Sequence, residues 1–160
     1  MINNACRRWI LAGFFTTIWV TPVFSAETLV ECDFRAQEKA YKHPGPALLT
    51  DVPSAMTPIS LNAVQIGDKK IARKILIQSI HARRTATNTV EVIVRMVNCT
   101  DYEQHVQLRS SFMDGAQIPL ESTSAWTRVF IPARSTGVYS EKSISTSDVT
   151  YYLAEMREGD

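Results

Sequence analysis

The chain has 160 residues, of which 45% are hydrophobic and 21% are charged, and its formal net charge is +1. This composition is that of one globular domain with a core, and it excludes collagen-like, low-complexity and wholly disordered chains. A chain so close to neutrality lacks the strongly basic face by which nucleic acids are bound, so we expect no nucleic acid among its partners.

An export signal is predicted in residues 1–26. Arg7 and Arg8 precede the apolar run 9–20, and the small residues Ser25 and Ala26 follow it. This order is typical of a cleavable secretory signal peptide. The run is shorter than the roughly 20 residues that cross a bilayer, although a retained signal anchor stays an alternative. We therefore expect a periplasmic or secreted protein with no integral membrane span after cleavage.

Two cysteines, Cys32 and Cys99, remain once the predicted signal and its Cys6 are removed. A pair of cysteines in an exported chain predicts a disulfide, with two buried free thiols as the alternative. Glu31 stands directly before Cys32, where a lipoprotein signal needs a small residue. We therefore expect no lipid anchor.

The next segment, residues 27–68, is predicted to be a partly irregular N-terminal arm or linker. Residues 34–41 suit two helical turns. Four prolines follow, at Pro44, Pro46, Pro53 and Pro58. Proline has no backbone donor and favours an extended residue before it, so long regular elements are not expected here.

Residues 69–160 are predicted to form the folded domain, which consists of short strands. The clearest strand is 89–98, where Val90, Val92, Val94 and Met96 alternate with outward residues. Further strands are expected at 71–82, 106–112, 125–131, 137–141 and 149–156, the last with Val149, Tyr151 and Leu153 on its apolar face. Asp114 and Gly115 form a turn signal between two of them. Strands separated by turns at this spacing predict an all-β protein, an antiparallel β-sandwich.

No catalytic or metal-binding signature occurs in the sequence. His43, His81 and His105 lack the spacing and the carboxylate or cysteine neighbours of zinc ligands, and no nucleophile motif accompanies them. We expect no enzyme activity, no cofactor and no metal. A hydrolase assembled from scattered Ser, His and acidic residues stays a remote third alternative.

A locally basic segment covers residues 69–84. Such a cluster is suited to an anionic partner; the alternative is the solvated face of an edge strand, where cations prevent edge-to-edge pairing. Tyr151 and Tyr152 are adjacent, so one of them must face outward on a strand. The residues that we take as a candidate partner surface are Arg73, Lys74, Arg83, Arg84 and Tyr152.

The C-terminal half resembles the YcfL-like family of small bacterial envelope proteins. The resemblance rests on these stretches: Arg109-x-x-Phe112-x-Asp114-Gly115, Ile118-Pro119-Leu120-Glu121, Trp126-Thr127-Arg128-Val129-Phe130-Ile131-Pro132-Ala133-Arg134-Ser135, Val138-Tyr139 and Val149-Thr150-Tyr151-Tyr152-Leu153. With the strand at 89–98, the resemblance covers roughly residues 89–156. It implies an immunoglobulin-like antiparallel sandwich and an envelope location, and it carries over no activity or site. The chain departs from the family in lacking a lipoprotein signal.

Two functions are therefore expected as alternatives. The first is a non-enzymatic interaction module, an accessory subunit of a bacterial envelope, secretion or conjugation assembly, which binds protein partners by strand addition or arm docking. The second is a domain that binds a small ligand, a glycan or a peptidoglycan fragment. It requires a concave patch that gathers Trp126 or the tyrosine pair with a few polar groups.

Overall fold

The computed structural model describes residues 31–49, 52–146 and 149–159. Within them the chain forms one helix, α1 (Arg35–Tyr41), and nine strands. The strands are β1 (Ala47–Leu48), β2 (Thr57–Ile59), β3 (Val64–Ile66), β4 (Ile75–Arg84), β5 (Val90–Asn98), β6 (Gln104–Met113), β7 (Thr127–Ile131), β8 (Thr136–Lys142) and β9 (Tyr151–Glu158). Short 3-10 turns occupy Leu61–Ala63 and Ile71–Arg73. The predicted signal at 1–26 lies outside the described residues.

Two sheets enclose a common core, which confirms the all-β sandwich. One sheet has the order β1–β9–β6–β7, with β3 also on β9, and the other has the order β2–β4–β5–β8. The core between them contains inward side chains of both sheets, among which are Ile75, Val92, Val94, Leu108, Phe112 and Met156. The immunoglobulin-like arrangement in particular stays a prediction.

The long central strands follow from alternation of apolar side chains. Val90, Val92, Val94 and Met96 are all completely buried, as expected. Val106 and Leu108 on β6 are also completely buried. The recurrence of apolar residues at every second position in the sequence therefore predicted the inner faces of both strands correctly. On β4 the register shifts between Ile77 and Ser79, which places a bulge in the middle of the strand.

The alternation predicted for the last strand was wrong by one residue. Its buried side chains are Tyr152, Ala154 and Met156, whereas Tyr151 and Leu153 are only half-buried on the outer face. The Tyr152 hydroxyl shares a hydrogen bond of 2.8 Å with the buried Ser110 hydroxyl, and this polar partner lets a tyrosine enter the core. A one-residue change in phase turns every side chain of a strand to the other face.

The segment expected as an arm contributes strands to both sheets. β1 and β3 both pair with the outer edge of β9, β1 antiparallel and β3 parallel, while β2 pairs antiparallel with β4. Pro58 lies in β2, an edge strand, where a missing backbone donor is tolerated. Leu49 and Val64 are buried in the core, so burial of apolar side chains holds the segment against the sandwich.

Two long-range connections hold α1 against the sandwich. Cys32 and Cys99 form a disulfide, as predicted, which joins the residues before α1 to the end of β5. The buried Gln37 side chain donates to the carbonyl oxygens of Ala72 and Ile75 and accepts from the amide of Ile77 at 2.6 Å. The helix therefore forms a fixed wall beside the start of β4.

Candidate functional site

A cleft of about 450 Å³ opens between α1, β3 and the outer face of β9. We call it the Trp126 cleft. Its lining residues are Tyr41, Pro44, Gln65, Ile66, Gly67, Lys69, Ala72, Trp126, Glu155, Met156 and Arg157. The parallel pairing places Gln65 opposite Glu155 and Ile66 opposite Met156, which brings β3 and α1 to the C-terminal half of β9. Distant parts of the sequence thereby meet in one concave surface.

Trp126 lies over the outer face of the sheet, where two arginines hold it. The guanidinium carbon of Arg157 is 4.1 Å from the centre of the Trp126 ring, and that of Arg109 is 4.6 Å from it. Both distances are those of cation–π contacts. These contacts fix the indole at the edge of the cleft.

The two arginines are themselves anchored by neighbours on the outer face. Arg109 forms an ion pair with Glu155 on the adjacent strand, and the Nε of Arg157 donates to Gln107 at 2.9 Å. Cross-strand register explains both contacts, because Arg109 faces Glu155 and Gln107 faces Arg157. The Trp126 ring therefore rests on an ordered row of side chains.

Tyr41 forms the opposite wall of the cleft. Its hydroxyl oxygen is buried and has no hydrogen-bond partner among the described residues. Burial raises the pKa of this hydroxyl, so it stays neutral and keeps its proton. The ring of Tyr41, and not its buried hydroxyl, is the part that can face a ligand.

A basic hollow adjoins the cleft. Lys69, which also lines the Trp126 cleft, lines it together with Lys70, Arg73 and Lys74. These four residues surround the Ile71–Arg73 turn, which begins where Asp68 accepts the amide of Lys70 at 2.7 Å. We call this surface the Lys69 hollow.

The structure divides the candidate partner surface. Arg73 and Lys74 lie in the Lys69 hollow, whereas Arg83 and Arg84 lie at the other end of β4, which at about 3.3 Å per residue is roughly 30 Å away. Arg83 forms an ion pair of 2.6 Å with Glu91, and Arg84 contacts the turn residue Asn88. The sequence-based surface is thus two separate basic regions.

Tyr152 does not belong to either region. It is completely buried, so its expected place on a partner surface is corrected: Tyr151 is the member of the pair that faces outward. The reason is the alternation of β9, which turns Tyr152 inward toward Ser110.

The histidines lie apart from one another and from the cleft lining. His105 shares a hydrogen bond of 2.6 Å with Glu103 and packs edge-on against Phe130, while His81 lies within β4. Across residues 31–49, 52–146 and 149–159, no group of three metal-ligating side chains comes together. In the same ranges no helix is long and apolar enough to cross a membrane.

Sequence reasoning named Trp126 as a candidate and missed Tyr41, Gln65 and Arg157. Arg157 meets Trp126 through the pairing of β9 with β6. Gln65 arrives through the parallel pairing of β3 with β9, and Tyr41 arrives on α1. No motif signals the pairing of β3 with β9, because β3 has three residues and shows no usable alternation.

Comparisons with known proteins give a fold likeness only. No family model matches the chain, and no curated protein matches it. Among solved structures, it is similar to cj0090 of Campylobacter jejuni, with a TM-score of 0.48, 15% identity and coverage of 61% of this chain and 98% of that one. It is also similar to a DUF1425 family member from Shewanella sp. pv-4, with a TM-score of 0.48, 9% identity and coverage of 72% and 98%. The YcfL-like resemblance stays a prediction.

Proposed function

We propose that this chain is an exported, non-enzymatic binding module that holds a small ligand or glycan in the Trp126 cleft. The observation that carries the proposal is a tryptophan fixed by two guanidinium groups at the edge of a cleft of about 450 Å³. Ligand sites are typically concave, about 300–1,000 Å³ in volume, and mostly apolar with a few polar groups. The Trp126 cleft fits this description.

The arrangement suits a ring-shaped ligand. The electron-rich face of an indole attracts the slightly positive C–H groups on one face of a sugar, while the side-chain amide of Gln65 offers hydrogen bonds. Because Arg109 and Arg157 already hold the indole, little side-chain freedom is lost on binding.

Binding without catalysis suits the same residues. Of the described residues that line the cleft, none is a histidine, cysteine or serine, and the carboxylate of Glu155 is engaged by Arg109. Tyr41 and Lys69 also line the cleft and belong to types that can act in catalysis, but burial raises the pKa of the Tyr41 hydroxyl and holds its proton. Export is supported by the Cys32–Cys99 disulfide, because such bonds persist in oxidising compartments.

Trp126 fluorescence provides a direct test. The full chain with Trp9→Phe and Trp19→Phe has Trp126 as its one remaining tryptophan. We expect a saturable change in its emission with members of a panel of chito-oligosaccharides and peptidoglycan fragments. Calorimetry of the unmodified chain should give matching affinities, and Trp126→Ala should lower them at least about tenfold.

Tyr102→Ala is the matched control, because Tyr102 is an exposed aromatic residue outside the cleft lining. Its affinities should equal those of the unmodified chain. The proposal would be contradicted if Trp126→Ala bound the ligands as tightly as the unmodified chain does. It would also be contradicted if no member of the panel gave a saturable change in Trp126 emission.

A second candidate function is docking of an envelope protein along β7 and β8. Both are edge strands, and residues 132–135 connect them. The side chains of Phe130 on β7 and Val138 on β8 are 54% and 53% exposed. Free strand edges accept an added strand, and apolar side chains beside them add affinity. We expect capture of the tagged chain from its native envelope to recover subunits of one assembly, and Val138→Lys to lose them. Recovery of the chain alone would leave only the ligand-binding function.

A further inference from the structure

The cations around the Trp126 cleft are only partly neutralised by the protein. Among the described residues, Lys69, Lys70 and Arg73 form no ion pair, and Arg157 donates to the neutral Gln107. Lys69 and Arg157 line the cleft itself, whereas Lys70 and Arg73 line the adjoining Lys69 hollow. Within the described ranges these four cationic side chains have no carboxylate partner of their own, so they are available to a negatively charged ligand.

The carboxylates nearby are mostly engaged. Glu155 pairs with Arg109, Glu158 lies 4.0 Å from Lys74, and Asp68 caps the turn by accepting the amide of Lys70. Glu38 lines a neighbouring hollow together with Lys69 and Arg73, so it is the carboxylate that offsets part of their charge. The whole chain carries a net charge of only +1, so this concentration of unpaired cations is local.

Resting on the proposed function, we propose that the ligand of the Trp126 cleft is a glycan that carries carboxylate groups. One sugar ring stacks on Trp126, and its carboxylate pairs with Lys69 and Arg157. Hydrogen bonds between cations and carboxylates are stronger than neutral ones, so they select an acidic sugar over a neutral one.

The Lys69 hollow extends the site beyond one sugar. Lys69 belongs to both surfaces, so a chain that leaves the cleft past Lys69 reaches Lys70 and Arg73 directly. A second carboxylate on a neighbouring sugar would meet these unpaired cations. We therefore expect a longer acidic glycan to bind more tightly than a disaccharide.

Calorimetry on the full chain tests the carboxylate directly. The probes are N-acetylglucosaminyl-N-acetylmuramic acid and the same disaccharide with its carboxylate converted to a carboxamide. We expect the acid to bind about tenfold more tightly at low salt, and we expect added sodium chloride to reduce that preference because salt screens exposed charges. Lys69→Gln should weaken binding of the acid about twofold to fivefold and leave the carboxamide unchanged.

Lys69→Gln is a suitable variant because Lys69 is exposed and makes no contact that holds Trp126. Arg95→Gln is the matched control. It removes an exposed cation from the outer face of the opposite sheet, and both affinities should stay unchanged.

The possible results separate this inference from the proposed function. Equal affinities for acid and carboxamide, both lost in Trp126→Ala, would overturn the acidic ligand and keep the cleft as a sugar site. Binding of neither disaccharide, with a saturable change in Trp126 emission on another member of the panel, would overturn the acidic ligand alone, whereas no change with any member would overturn both. Hexaglutamate that binds more tightly than the acid and depends on Lys69 would overturn the glycan in favour of an acidic peptide.

Discussion

Replacing Gln37 by alanine should destabilise the protein more than any other change in α1. The Gln37 side chain is 2% exposed and makes three hydrogen bonds to the backbone of residues 72–77. Its Oε1 accepts a hydrogen bond of 2.6 Å from the backbone amide of Ile77. Ile77 lies where the register of β4 shifts. Gln37→Ala leaves that buried amide and two carbonyl oxygens without a partner.

The size of the effect follows from these three contacts. An orphaned buried amide costs about 1–3 kcal/mol, and each of the two weaker bonds contributes about 0.5–1 kcal/mol. We therefore expect the free energy of unfolding to fall by about 3 kcal/mol. For a domain of this size, that corresponds to a fall in Tm of about 10 °C.

Thermal and urea denaturation measure the loss, with Glu38→Ala as the control on the same helix. Glu38 is exposed, so its removal should change the free energy of unfolding by less than about 0.5 kcal/mol. Gln37→Met keeps the length of the side chain but not its acceptor, and it should lose most of the same stability. The Ile77 amide should exchange with deuterium faster in both Gln37 variants. A loss under about 1 kcal/mol in Gln37→Ala would refute the reasoning.

Three further predictions concern stability. The hydrogen bond from Arg83, and to a smaller extent the charge of Lys142, lowers the pKa of Glu91 in the folded protein. The ionised Glu91 therefore stabilises the fold at pH values above its unfolded-state pKa. This stabilisation is lost as the pH falls through the folded-state pKa. Glu91→Gln should therefore cost about 1 kcal/mol at pH 7 and progressively less below pH 4.5, as urea titrations at each pH would show. Reduction of the disulfide, or Cys32→Ser, should lower the free energy of unfolding by up to about 4 kcal/mol, because the bond closes a loop with a sequence separation of 67; an unchanged Tm in reductant would contradict this. Gly137→Ala should cost about 1–3 kcal/mol, because a Cβ there would lie 2.7 Å from the buried Ile131 side chain, and a melting curve like that of the unmodified chain would oppose it.

The long strands were predictable because burial on one face leaves a signal in the sequence. Apolar residues stand at every second position of β5, and the structure places all four of them, Val90, Val92, Val94 and Met96, in the core. On β9 the signal is ambiguous, because Tyr151 and Leu153 are as apolar as Tyr152 and Ala154. The choice between the two faces depends on Ser110, which is far away in sequence and bonds the Tyr152 hydroxyl.

The cleft was predictable only in part. Trp126 could be named from its residue type, and residues 34–41 could be recognised as helical. The N-terminal wall of the cleft depends on β1 and β3, which have two and three residues and share one edge of β9. Strands that short carry no periodicity, and their pairing is decided by tertiary contacts.

Nitrogen-15 NMR of the labelled chain is the measurement that tests the central claim most directly. On titration with N-acetylglucosaminyl-N-acetylmuramic acid, the indole N–H of Trp126 should shift most. The amides of Tyr41, Gln65, Lys69 and Arg157 should shift with it, because these residues line the same cleft. Shifts confined to β7 and β8, or an indole signal that does not move at saturation, would contradict the Trp126 cleft as the binding site.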